Sequence, residues 1–300
     1  AFRTHPHEGA SDDPWACDLR RRLKGLVVRA RGKPRRTEPL PVPVDDSKAV
    51  KQRFGLEGLA RGVGLFASAM ATPPPAHLED LIVRYSDRRP TAYAGAPWFD
   101  DLTSSALPHY PWTGPLDERF AERGLEALDL RVLPADAPEL NASFDAVRNK
   151  AGVLGLLSAT LLVSVLDRYP GEDALVVMDR QGGRLDYAGY LARVFPFAIV
   201  SRAAGPRGES RYRVRLPDRL LHVRFATQGD RVSLAVGWAS MAAKLTRELF
   251  MQRLNAWFNA RLPDVRPTAG YTTDGRRFLA DVRSILEDEA IEPGLLVRSR

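Results

Sequence analysis

A single cysteine, Cys17, occurs in 300 residues. It excludes an intrachain disulfide framework and any cysteine-based zinc site. Histidine is sparse too. His5, His7, His77, His109 and His222 are scattered, and none has zinc-ligand spacing to a second His or Cys, although His5-x-His7 alone could bind a metal weakly. No apolar run reaches the ~18 residues that a membrane span needs. The longest runs, residues 151–166 and 233–245, are interrupted by Ser, Thr, Gly or Lys. The opening AFRTHPHEGASDDPW has neither an initiator Met nor the pattern of a signal peptide. A cytoplasmic protein with no membrane partner is the expectation. Lysine is confined to positions 24, 33, 48, 51, 150 and 244.

The chain is 44% hydrophobic and 27% charged, enough to build a real core. Its length suits one large domain or two ordinary ones. The net charge is +7 and the pI about 9.7; arginine carries nearly all of the excess. Arginine offers bidentate contacts to phosphate, so a polyanion is a natural partner. A GC-rich genome, which encodes Arg in place of Lys, accounts for the same bias, and charge alone does not decide.

Along the chain, residues 18–33 form a short basic amphipathic segment and 34–44 are proline-rich and extended. Asp46 or Ser47 caps a helix carrying Leu56, Leu59, Val63 and Phe66. Residues 72–115 are rich in proline and aromatics and predict little regular structure. Leu128–Leu133 is strand-like, and residues 144–169 read as one long helix. DALVVMD (173–179) is a buried strand with an acid at its end. A helix over 187–195 and strands over 197–202, 210–216 and 220–227 follow, joined by the turns PRGES and PDR. Helix 233–261 shows apolar positions at three and four residues, Leu234, Trp238, Met241, Leu245 and Leu249. A loop over 266–275 and a last helix over 276–289 complete the chain. No internal repeat is present.

Asp179 and Asp230 share a setting: each follows a strand and precedes a glycine-rich turn or a helix. On spacing alone both are ordinary turn residues, or carboxylates converging on one sheet edge, where oxygen ligands hold Mg²⁺ or Mn²⁺. The surrounding residues add a resemblance. Gly229-Asp230, Ser233, Ala239-Ser240-Met241, Ala243-Lys244 and Thr246-Arg247 closely resemble the ribonuclease HII signature, with Gln228 and Glu248 departing from its usual Lys and Asp. Asp46-Ser47-Lys48 is similar to that family's Asp-Ser-Lys motif. Val176–Asp179 resembles the strand ending in its third catalytic carboxylate. Gly270-Tyr271 resembles its downstream Gly-Tyr-Gly-Thr, with Thr272 in place of the second Gly. The matches run in order, in patches from residue 46 to about 285.

The resemblance implies an α/β protein with a ribonuclease H-like mixed sheet flanked by helices, one domain over 1–300. A loop-rich insertion would occupy about 72–140, an extra β-hairpin would lie between Asp179 and Asp230, and a helical part would occupy about 233–300. It implies an endonuclease that hydrolyses the RNA strand of RNA–DNA hybrids, or ribonucleotides embedded in duplex DNA, with Mg²⁺ or Mn²⁺ as cofactor. Asp179 and Asp230 would be the catalytic, metal-binding acids. Ser47, Lys48, Ser240, Lys244, Arg247 and Tyr271 would contact nucleic acid, Tyr271 at the ribonucleotide. For Lys244 and Arg247, snorkelling on a half-buried helix is the alternative; for Tyr271, a packed loop residue.

The family's first-strand motif, Asp-Glu followed by Ala-Gly-x-Gly, is not found. Asp12-Asp13 has no strand before it, and Asp45-Asp46 belongs to the second motif. The expectation is a chain incomplete at its N-terminus, with true loss of the acidic pair as the alternative, and catalysis impaired in either case. A monomer is expected. Two competing classes remain: a non-catalytic nucleic-acid-binding protein on the same scaffold, and an unrelated globular protein with chance matches.

Overall fold

The computed structural model describes residues 1–5, 13–16, 18–30, 40–93, 95–108 and 114–299. Cys17, His7, His109, Asp12 and residues 34–39 of the proline-rich stretch lie outside the described residues.

In chain order the elements are β1 (Phe2–Thr4), α1 (Leu19–Arg22), β2 (Val27–Val28), β3 (Val42–Pro43), α2 (Ser47–Ala69), α3 (Leu78–Tyr85), α4 (Leu116–Ala121), β4 (Leu125–Ala127), α5 (Ala137–Val147) and α6 (Lys150–Leu166). They continue as β5 (Ala174–Asp179), α7 (Ala188–Val194), β6 (Ile199–Ala203), β7 (Glu209–Arg215), β8 (Leu220–Ala226), α8 (Gly229–Val232), α9 (Leu234–Arg261), α10 (Thr272–Asp281) and α11 (Arg283–Asp288). The protein is mixed α/β, with helices and a mixed sheet. It comprises two compact units, one of residues 1–74, 109–131 and 154–242, the other of 75–108, 132–153 and 243–300.

In the first unit a four-stranded sheet runs in the order β5-β8-β7-β6. β5 is parallel to β8, and the other pairs are antiparallel. β7 explains the arrangement through its alternation. Ser210, Tyr212 and Val214 are buried, while Arg211, Arg213 and Arg215 point the other way. Tyr212 and Val214 join Leu221, Val223 and Phe225 of β8 in one core with Leu166, Tyr187, Tyr190 and Leu191. The Tyr187 and Phe225 rings stack at 3.6 Å and 4°. The Tyr187 hydroxyl accepts from the Gln181 amide at 2.9 Å, and the Tyr212 hydroxyl from the Tyr187 amide at 2.9 Å. The strands expected as an extra hairpin are therefore β6 and β7, half of this sheet, because β7 supplies the apolar row that covers the core.

A second core of this unit gathers Phe2, Phe66, Phe120 and Trp238. The Trp238 indole donates to the Gly62 carbonyl at 2.9 Å. A Cβ on Gly62 would stand 2.2 Å from the Met241 methyl, so α2 and α9 meet closely at a residue without a side chain. Two short pairings, β1 with β4 and β2 with β3, complete the unit.

The second unit is helical. Trp98, Trp257, Phe258 and Phe278 pack together, and Tyr93 and Phe99 meet Phe250. Several expectations need correction. The stretch from 72 contains α3, capped by His77, whose Nδ1 accepts from the Asp80 amide at 3.2 Å. Strand β4 falls at 125–127, before the expected 128–133. The long helix over 144–169 is two helices. Arg148 turns left-handed (φ 61°) at the end of α5, and Asn149 Oδ1 accepts from the Gly152 amide at 2.6 Å, a new N-cap. The loop over 266–275 ends early, since α10 begins at Thr272. Among the described residues, no single helix is long and apolar enough to cross a membrane.

Candidate functional site

Two parallel neighbours bring the first two acids to one end of the sheet. Asp179 is the last residue of β5, in register with Ala226 of β8. Two residues beyond Ala226 the chain turns through Gln228, which adopts left-handed φ 55° and ψ 52°, into α8, which carries Asp230. The Gly229 amide donates to Asp179 Oδ1 at 2.9 Å, tying the turn to the strand end. The Arg231 amide donates to Asp230 Oδ1 at 3.0 Å.

A third acid joins them. Asp46 caps α2, accepting from the Ala49 amide at 2.8 Å, and its carboxyl also hydrogen-bonds that of Asp230. Burial, then the Asp46 charge and this hydrogen bond, raise the Asp230 carboxyl above its usual range, with Asp179 adding to the shift. Like charges this close favour a retained proton. Sequence reasoning assigned Asp46 only to a helix cap and to the Asp-Ser-Lys motif. The signal that marks it is its place at a helix start straight after a short parallel strand. Beside it, buried Asp45 accepts from the Ala30 amide at 3.0 Å and lies 3.5 Å from the Arg29 guanidinium. Arg20 donates to the Val44 carbonyl at 3.0 Å. Burial and Arg29 weaken its hold on its proton, while Asp45 and Asp230 oppose them.

Ser47 and Ser240, 193 residues apart, meet where the Ser240 hydroxyl donates to that of Ser47 at 2.8 Å. Lys48 follows Ser47 on α2 and is exposed. Asp46, Ser47, Lys48, Asp179, Asp230 and Ser240 all belong to the first unit. Lys244, Arg247 and Tyr271 belong to the second. Lys244 Nζ lies 2.9 Å from Glu248, with most of its side chain buried. Arg247 donates to the Ala269 carbonyl and stands 5.0 Å over the ring of exposed Tyr271. Tyr271 precedes α10, and the loop before it is held by Asp274 of that helix, which accepts from Thr268 Oγ1 and from the Ala269 amide, both at 2.7 Å.

The donor chemistry of Asp46, Asp179 and Asp230 is oxygen only, the kind that suits Mg²⁺ or Mn²⁺. The arrangement does not complete such a site: among the described residues no three His, Cys, Asp or Glu side chains converge to hold an ion. Asp46 and Asp179 each already accept a backbone amide. No family model, curated protein or solved structure matches the chain.

Proposed function

We propose that this chain is a ribonuclease HII-like protein on a ribonuclease H-like scaffold that binds RNA–DNA hybrid or ribonucleotide-containing duplex, with hydrolysis by its acid cluster impaired. One observation carries the reading. Three segments that resemble that family's motifs, around Asp46-Ser47, Asp179 and Asp230–Ser240, lie far apart in sequence, and their side chains meet in the first unit. Chance matches have no reason to converge.

The chain's own groups suggest how the work divides. Burial and Asp46 make Asp230 hold its proton to higher pH than an ordinary carboxyl, and its release as pH rises makes the cluster more negative. The paired Ser47 and Ser240 hydroxyls keep donor and acceptor capacity for a polar ligand. Exposed Lys48, and the Arg247–Tyr271 pair of the second unit, offer a cation and an aromatic face of the kind that positions nucleic acid. The described acids do not converge on an ion, which supports impaired hydrolysis in this reading.

Labelled hybrid incubated with the chain and Mn²⁺ tests this. Binding with trace cleavage, lost in Asp179→Asn and in Asp230→Asn, is the expected result. Cleavage that survives both substitutions, or absence of any binding to hybrid and duplex at low salt, overturns the reading.

A further inference from the structure

The second face of the four-stranded sheet carries an accumulation of one charge. Tyr212 and Val214 of β7 are buried in the core, so Arg211, Arg213 and Arg215 project from the opposite face. The register sets Arg211 across from Arg224, and Arg213 across from both His222 and Ser201. Like charges directly opposite each other destabilise a sheet. Glu209 relieves one such pair: it accepts from Arg211 Nε at 3.0 Å and from Arg224. Trp15 braces the same end, its ring 5.2 Å from the Arg211 guanidinium and edge-on to His222 at 4.9 Å. Asp13 and Asp173 act on His222. Arg213 and Arg215 remain exposed, with no ion pair to a carboxylate among the described residues.

We propose that this face, centred on Arg213 and Arg215, binds the phosphate backbone of a nucleic acid. Alternate residues of a strand advance about 6.8 Å, close to the step between successive phosphates of one nucleic-acid strand. Each guanidinium can grip a phosphate with two parallel hydrogen bonds. Asp179 projects from the same face, because Val176 and Met178 pack on the core side. From the register it stands about 14 Å along and about 10 Å across from Arg213. Trp15 and the buried Arg224 lie between that position and β7, so the basic row and the acid cluster are separate regions of one sheet face. The choice of nucleic acid as the polyanion rests on the proposed function; the basic face does not.

The test is equilibrium binding of a labelled RNA–DNA hybrid across a salt series, for the full chain and for Arg213→Gln, Arg215→Gln, the double Gln variant and the double Lys variant. Each Gln should lower the slope of log affinity against log salt by about 1, and the pair by about 2, while Lys retains it. The side chains are exposed, so an unchanged thermal midpoint separates lost contacts from lost folding. An unchanged slope in the double Gln variant overturns the proposal. So does tighter binding of the wild type to phosphatidylserine vesicles than to the hybrid. Asp179→Asn should change cleavage without changing the slope. A slope that falls with the arginines while cleavage ignores Asp179 keeps the basic face and removes the nuclease reading; the converse does the reverse.

Discussion

Asp230 holds its proton more tightly in the fold than in the unfolded chain, through burial and the neighbouring Asp46. Its folded affinity for a proton is raised, so its contribution to stability is fully present below the ordinary value of 3.8. That contribution is lost as pH rises through the raised value. At neutral pH the ionised cluster repels itself. Asp230→Asn should therefore raise the thermal midpoint at pH 7, by about 2 °C given partial solvent screening, and the difference should shrink as the pH is lowered below the carboxylate range. Thermal scans at a series of pH values check this; a destabilised variant at pH 7 would mean that Asp230 makes a favourable charged contact instead. Asp46 separates two roles. Asp46→Asn keeps an acceptor for the Ala49 amide and relieves the repulsion, whereas Asp46→Ala also forfeits the cap, which is worth about 1 kcal/mol. The Asn variant should unfold at higher denaturant than the Ala variant.

At the scale of elements, stability is concentrated where β7 and β8 meet the helical cover. Phe225 is fully buried and stacks on Tyr187. Phe225→Ala should cost about 3–5 kcal/mol, read as a shift of the denaturant midpoint. Phe197, 88% exposed two residues before β6, should change stability by about 0.5 kcal/mol or less on the same substitution. Equal effects would contradict the sheet packing. Strands and helices of this half were legible in sequence because their patterns are local: the apolar run of β5, the turns that bound β7, the three-and-four spacing of α9; the short α8 at Gly229–Val232 was not. What was not legible depended on single backbone events or on partners. The break at Arg148-Asn149 lies inside a continuous apolar pattern, which periodicity alone reads as one helix. α3 hides among prolines, and its cap is a histidine rather than a Ser or Asp. The membership of β6 and β7 in the main sheet, and the contact of Asp46 with Asp230, are long-range pairings that no window of sequence contains.

For the whole molecule, a net charge of +7 attracts any polyanion, hybrid or plain duplex alike. That attraction weakens as salt displaces the entropy gained from released counterions, and it is blind to the sugar. Under the proposed function, recognition of a ribonucleotide needs something else, a hydrogen bond to the 2′-hydroxyl, for which the Ser47–Ser240 pair is the candidate in the first unit. The two contributions respond differently to salt. Affinities for hybrid and for DNA duplex of equal length should both fall steeply as salt is raised, by about tenfold for each phosphate engaged between 50 and 500 mM. Their ratio should stay nearly constant and above one, because contacts to a hydroxyl release no ions. Ser47→Ala with Ser240→Ala should then bring the ratio toward one while leaving the salt slope unchanged. A ratio of one at every salt concentration in the wild type would mean that charge alone drives binding, and that the motif residues do not discriminate RNA from DNA.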